Sequence, residues 1–246
     1  MAISHNEIYA AFESGDAVKG FAGLKQLATR GDIQAQFDLG SCYEHGLGTV
    51  SDCHQAAEWY QRATQAGNVN ATFSLGVLYR DGRGVCLDFR KALQLFTKAA
   101  NQGWCRAQTA LGSMIGSGMG HTVDPDLAAQ WFRIAAHQGD RDAIYNLGTL
   151  YMRGLGVPVD KEAAALWFRR AADRGDREAQ FSLGVMHYRG EGVEQNNVLA
   201  HKWMNLALVA GHEKASEFLP VIQEELSPQE LLEARRRAME WAPVQT

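Results

Sequence analysis

The chain has 246 residues and a formal net charge of −4, with 46% apolar and 21% charged residues. This balance excludes a disordered chain, and the acidic excess argues against general binding to nucleic acid or anionic membrane. No apolar run approaches the ~20 residues of a transmembrane helix. The four cysteines (Cys42, Cys53, Cys86, Cys105) are too few and too irregularly spaced for a disulfide scaffold. The opening stretch MAISHNEIYAAFESGD shows no basic leader, continuous apolar segment or small-residue cleavage site, so the expectation is a cytoplasmic protein with free thiols.

In chain order, residues 1–34 read as a diverged helix hairpin, with Asp16 and Gly31 at its cap positions. Five copies of one unit follow: AQFDLGSCYEHGLG from Ala35, ATFSLGVLYRDGRG from Ala71, AQTALGSMIGSGMG from Ala107, AIYNLGTLYMRGLG from Ala143 and AQFSLGVMHYRGEG from Ala179. Each starts 36 residues after the last, which gives repeats 35–70, 71–106, 107–142, 143–178 and 179–214.

Counted from that alanine, leucine at offset 4 and a large residue at offset 8 share one helical face with it. Glycine at offset 5 (Gly40, Gly76, Gly112, Gly148, Gly184) lies beside this face and lets a second helix approach closely. Glycines at offsets 11 and 13 end the first helix and turn the chain. Asp52, Asp88, Asp124, Asp160 and Asn196 then cap a second helix. That helix carries tryptophan at offset 24 (Trp59, Trp131, Trp167, Trp203) and ends at the offset-32 glycine (Gly67, Gly103, Gly139, Gly175, Gly211). Residues 215–246 read as capping helices, the last opened by the capping box SPQE at Ser227–Glu230.

The spaced pattern A-x-x-x-L-G-x-x-Y-x-x-G-x-G-V…D…A…W/F…A-A-x-x-G at this period resembles the Sel-one-like repeat (SLR) family. The resemblance implies an all-α, right-handed superhelical solenoid, TPR-like, of stacked antiparallel helix hairpins with 36-residue repeats. It also implies a scaffold or adaptor that binds other proteins, often in bacterial signalling, envelope processes or host contact. A dedicated inhibitor or immunity-type protein is the alternative.

Three chemical motifs give way to this reading. MIGSGMGHT, Met114 to Thr122, looks like a phosphate loop, but Gly118 and Gly120 are the repeat's turn pair and follow a helix, with no strand before them. All but four of the 25 glycines (Gly15, Gly20, Gly23, Gly116) are accounted for by the repeat. Cys42, His45, Cys53 and His54 are metal-ligand types, yet adjacent Cys53 and His54 at a helix start diverge by ~100°. Arg235–Arg237 likewise spread around a helix end rather than forming one basic face. A β-lactam-binding or hydrolysing enzyme, suggested by cysteine-rich members the chain resembles, loses its support because these cysteines keep no common offset. No nucleophile–base–orienter set is legible. No catalytic residue, cofactor, metal, nucleic acid or membrane span is expected.

A protein or peptide partner is expected in the concave groove lined by the first helices. Offset 2 contributes Phe37, Phe73, Thr109, Tyr145 and Phe181, which equally suit packing along the inner wall. Offsets 9 and 10 contribute Glu44, His45, Arg80, Asp81, Met152, Arg153, Tyr188 and Arg189, and offset −1 contributes Arg106 and Lys214. Arg153, Tyr188 and Arg189, with Tyr145 and Phe181, are expected to grip an acidic or C-terminal segment, unless Asp142 and Glu178 neutralise the arginines. The third repeat, with Gly116, Ile115 and Thr109 at its irregular positions, is expected to be locally flexible, a hinge between two arms.

Overall fold

The structure, a computed structural model, describes residues 4–244; among these are fourteen helices and no strand. The chain divides into two compact units, Met1–Val123 and Asp124–Thr246. The first holds α1 (His5–Glu13), α2 (Ala17–Thr29), α3 (Ile33–His45), α4 (Cys53–Gln65), α5 (Val69–Asp81), α6 (Phe89–Asn101) and α7 (Cys105–Ser117). The second holds α8 (Pro125–His137), α9 (Arg141–Arg153), α10 (Lys161–Ala172), α11 (Arg177–Arg189), α12 (Asn197–Val209), α13 (Ala215–Glu224) and α14 (Pro228–Met239). Consecutive helices pack on one another from α1 to α7 and from α8 to α13, and α14 packs on α12.

The caps fix the helix ends as expected. The offset-11 glycines (Gly46, Gly82, Gly118, Gly154, Gly190) are left-handed C-caps. Each offset-17 Asp or Asn accepts a backbone N–H from the first turn of the second helix. In the first, second, fourth and fifth repeats its own N–H closes the loop by donating to the offset-8 carbonyl: Asp52 to Tyr43 at 2.8 Å, Asp88 to Tyr79 and Asp160 to Tyr151 at 3.0 Å, Asn196 to His187 at 2.9 Å.

Close approach explains two glycine rows. A Cβ on Gly40, Gly76 or Gly148 would stand 2.6–2.8 Å from the ring of Tyr60, Phe96 or Phe168 on the second helix of the same hairpin. In the fifth repeat Met204 takes that ring's place against Gly184. The offset-13 glycines face main chain instead. A Cβ there would overlap the first residue of the preceding second helix: Ala17 for Gly48, Cys53 for Gly84, Phe89 for Gly120, Pro125 for Gly156 and Lys161 for Gly192.

The core differs from expectation at one position. Offset 8 is buried at Ile115 and His187 but only half-buried at Tyr43, Tyr79 and Tyr151, and offset 7 is buried at Cys42, Leu78, Met114 and Met186. Offset 1 is buried too, at Thr72, Gln108, Ile144 and Gln180. The first helix packs against the preceding helix as well as its own partner, so its apolar arc is wider than one stripe. The amides of Gln108 and Gln180 are accommodated there by donating to the Ala100 and Ala172 carbonyls, at 3.3 Å each.

In the third repeat the start of the first helix departs from the rule. Asp32, Asn68, Asp140 and Asp176 cap α3, α5, α9 and α11 with their side chains, but α7 begins at Trp104 with no side-chain cap. The Trp104 Nε1 is itself buried without a hydrogen bond. A missing cap costs about 1 kcal/mol and the exposed Gly116 in the last turn about as much again. The boundary between the two compact units falls in the loop of this same repeat. Amide exchange in α7 is therefore expected to outpace the matching amides of α5 and α9, and Gly116→Ala is expected to slow it. Equal protection of the three helices would remove this reading.

Candidate protein-binding surface

The expected surface residues behave differently in the two units. In the first, their polar groups are already committed. Arg80 holds Asp81 through two hydrogen bonds of 2.7 and 3.1 Å. Glu44 accepts from Arg83 and from the Tyr60 hydroxyl, both at 2.8 Å. The His45 ring lies 2.9 Å from the Ser41 carbonyl. Arg106 lies over the Phe73 ring, 5.8 Å from its centroid.

The offset-2 aromatics are half-buried and pack mainly inward. Phe37 meets Tyr60, Phe73 meets Phe96 and Tyr145 meets Phe168, with ring centroids 5.5–5.7 Å apart. Phe181 stacks on His212 at 4.1 Å and meets Phe218 edge-on. These rings are the inner wall of the hairpins, each leaving an edge accessible.

In the second unit α9 and α11 form a trough of about 340 Å³. It brings together Tyr145, Met152, Arg153, Phe181 and Arg189, all expected at the surface, with Phe168 of α10 behind them. Helical spacing puts offsets 2, 6, 9 and 10 on one face, and the offset-5 glycine draws the second helix in so that its ring closes the back.

Arg153 is exposed and forms no ion pair or hydrogen bond among the described residues. Arg189 lies 4.0 Å from Glu191, whose carboxylate also accepts from Lys161 at 3.2 Å. Asp142 and Glu178 do not neutralise these arginines. Asp142 pairs with Arg141 at 3.9 Å, and Glu178 with Arg177 at 3.4 Å and His212 at 3.1 Å. Tyr188 is placed away from the trough: its hydroxyl donates to Glu225 at 2.9 Å, which pushes its pKa up. Lys214 stands exposed at the start of α13 and caps nothing. Sequence reasoning missed Phe168, although an aromatic facing an obligatory glycine marks it, and Glu191, a loop residue with no periodic signal.

Among the described residues no three or more metal-ligand side chains come together, Cys42, His45, Cys53 and His54 included. Burial pushes the Cys42 thiol up to about 11, and the His54 ring faces the Gly84 carbonyl at 3.2 Å. At the C-terminal basic run, Arg236 is held by Glu233 and Glu240, and Arg237 by Glu233. No helix among the described residues is long and apolar enough to cross a membrane.

A family model described as Sel1 repeat matches residues 33–68, 69–104, 105–140, 141–176 and 177–212. Among solved structures, the chain is similar to a protective antigen of uropathogenic Escherichia coli that displays an SLR fold. The TM-score is 0.86 at 31% identity, over 96% of this chain and 52% of that one, so this chain spans about half the antigen's length. It is also similar to a Sel1 repeat protein from Oxalobacter formigenes, with TM-score 0.82 and 25% identity over 97% of both chains. An immunity protein from Pseudomonas aeruginosa shares the fold alone, at TM-score 0.52 and 24% identity over 85% of this chain and 82% of that one. No curated protein matches the chain.

Proposed function

The chain belongs to the Sel1 repeat family, a scaffold fold whose repeats generally engage protein partners, and on that premise we propose that it is a non-enzymatic adaptor in bacterial signalling or regulation. It holds a protein or peptide partner on the α9–α11 face of its second unit. The observation that carries this reading is the unpaired Arg153 at the rim of an aromatic and methionine-lined trough. The matching pair of the second repeat, Arg80–Asp81, is self-neutralised, its arginine spent on its own neighbour. Arginine beside accessible aromatic edges is the composition of a binding hot spot.

The test is affinity capture from the native cell, comparing wild type, Met152→Trp and the double variant Arg153→Glu/Arg189→Glu. Met152→Trp fills the trough without changing charge. Both variants are expected to keep full helicity by circular dichroism and to lose the partner by tenfold or more. Capture unchanged by both would place the binding surface elsewhere. An adaptor recovers several partners or weakly binding peptides. One protein held tightly over a large interface would favour a dedicated inhibitor or immunity-type protein instead.

A further inference from the structure

Resting on that reading of the face, we propose that the α9–α11 trough selects a partner segment in which an Asp or Glu side chain stands next to a large apolar side chain. The trough has two chemically distinct parts. Its wall is Tyr145, Met152, Phe168, Phe181, Val185 and Met186, an aromatic and thioether surface that accepts an apolar side chain of variable shape. Its rim carries two arginines, of which only Arg153 is without an acid, because Arg189 lies 4.0 Å from Glu191.

An uncommitted guanidinium at the edge of an apolar surface is matched by one carboxylate beside one apolar group, and it binds a carboxylate through two parallel hydrogen bonds. A second carboxylate would meet Glu191 and be repelled. A partner's chain terminus suits the site less well. Terminal carboxylates are held where several backbone N–H groups converge, and here those amides are spent inside the helices and their caps. Gly154 and Leu155 both donate to the Leu150 carbonyl, at 2.8 and 3.1 Å, and Glu191 donates to Met186 at 3.0 Å.

The other repeats show why the feature sits here. At the same two offsets the first repeat has Glu44–His45, the second Arg80–Asp81 and the third Gly116–Ser117. The first brings an acid, the second pairs its arginine internally, and the third offers no charge. Met152–Arg153 alone among the five combines an apolar side chain with an unpaired cation.

The test uses the full chain and short peptides, N-acetylated and C-amidated, that carry Leu-Glu, Leu-Gln or Leu-Lys in a Gly/Ser background. Binding is followed by NMR titration, including the Nε–H resonance of Arg153. The Leu-Glu peptide is expected to bind, to move that resonance, and to outbind Leu-Gln by about tenfold. Arg153→Gln should erase the preference, and Arg153→Glu should transfer it to the Leu-Lys peptide, a swap that a merely structural arginine would not produce. Equal binding of Leu-Glu and Leu-Gln, or no binding of either, would overturn the proposal. So would a free-acid peptide with no internal Glu binding more tightly than the amidated Leu-Glu one. If the Glu preference is absent while Met152→Trp still abolishes capture of the cellular partner, the carboxylate assignment falls and the docking face stands. If Met152→Trp leaves capture unchanged, the face itself falls.

Discussion

Gly156→Ala is expected to destabilise the second unit by about 3 kcal/mol or more, while Gly139→Ala, also at positive φ, is expected to cost only about 1 kcal/mol. The two glycines have φ of 68° and 88°, so each alanine meets the left-handed strain. Their surroundings differ. A Cβ on Gly139 meets nothing within 4 Å, whereas one on Gly156 runs into the Pro125 carbonyl at the start of α8. A side chain in the way can rotate, but a helix-terminal carbonyl moves only with its helix, so the overlap adds to the strain. Chemical denaturation followed by circular dichroism measures both variants. Equal losses would mean that the loop shifts freely and that the close approach contributes nothing.

The second large effect is expected at Trp203. Its side chain is fully buried, with Trp241 edge-on at 6.5 Å and the cations of Arg169 and Lys202 over its ring at 5.1 and 4.1 Å. The C-terminal tail is fastened over this region, where the Val244 N–H donates to the Asp173 carbonyl at 2.7 Å. Trp203→Ala is expected to cost about 3–5 kcal/mol through lost burial and a residual cavity. Trp203→Phe is expected to cost no more than about 1.5 kcal/mol. It keeps the ring for the cations and removes an indole N–H that has no hydrogen-bond partner, which offsets part of the lost volume. The same denaturation experiment measures both. A phenylalanine variant as unstable as the alanine one would show that the Nε1 group is satisfied in solution.

The caps and turns were legible in the sequence because few residues can occupy them. Left-handed backbone selects glycine, and orphan amides at a helix start select Asp or Asn. The same logic makes Ser4–Glu7 a capping box like that at Ser227–Glu230. The break in the cap row at Trp104 is equally visible in the sequence. Burial at offset 7 as well as offset 8 was not legible, because it depends on how deeply the preceding helix sits against the first helix.

At the surface, the fate of each charge was the least legible feature. Asp142 and Glu178 share helical faces with the trough arginines, yet their rotamers take them to Arg141 and to Arg177 and His212. Tyr188 finds its acid, Glu225, 37 residues away. Such choices follow from side-chain reach and from helices distant in sequence, and periodicity carries no record of either.

The contacts at the offset-13 glycines imply something about how such chains change over generations. Each loop seats on its predecessor through main-chain atoms of the second helix's first residue, whether that residue is Ala17, Cys53, Phe89, Pro125 or Lys161. Main chain is chemically the same at every residue, so this joint places almost no demand on what the preceding copy displays on its surface. A repeat can be duplicated, lost or exchanged while the joint is preserved, and its outward side chains are left to vary independently. Recognition chemistry can thus be rewritten one repeat at a time, as Met152–Arg153 differs from its four counterparts, with the seams between copies unchanged.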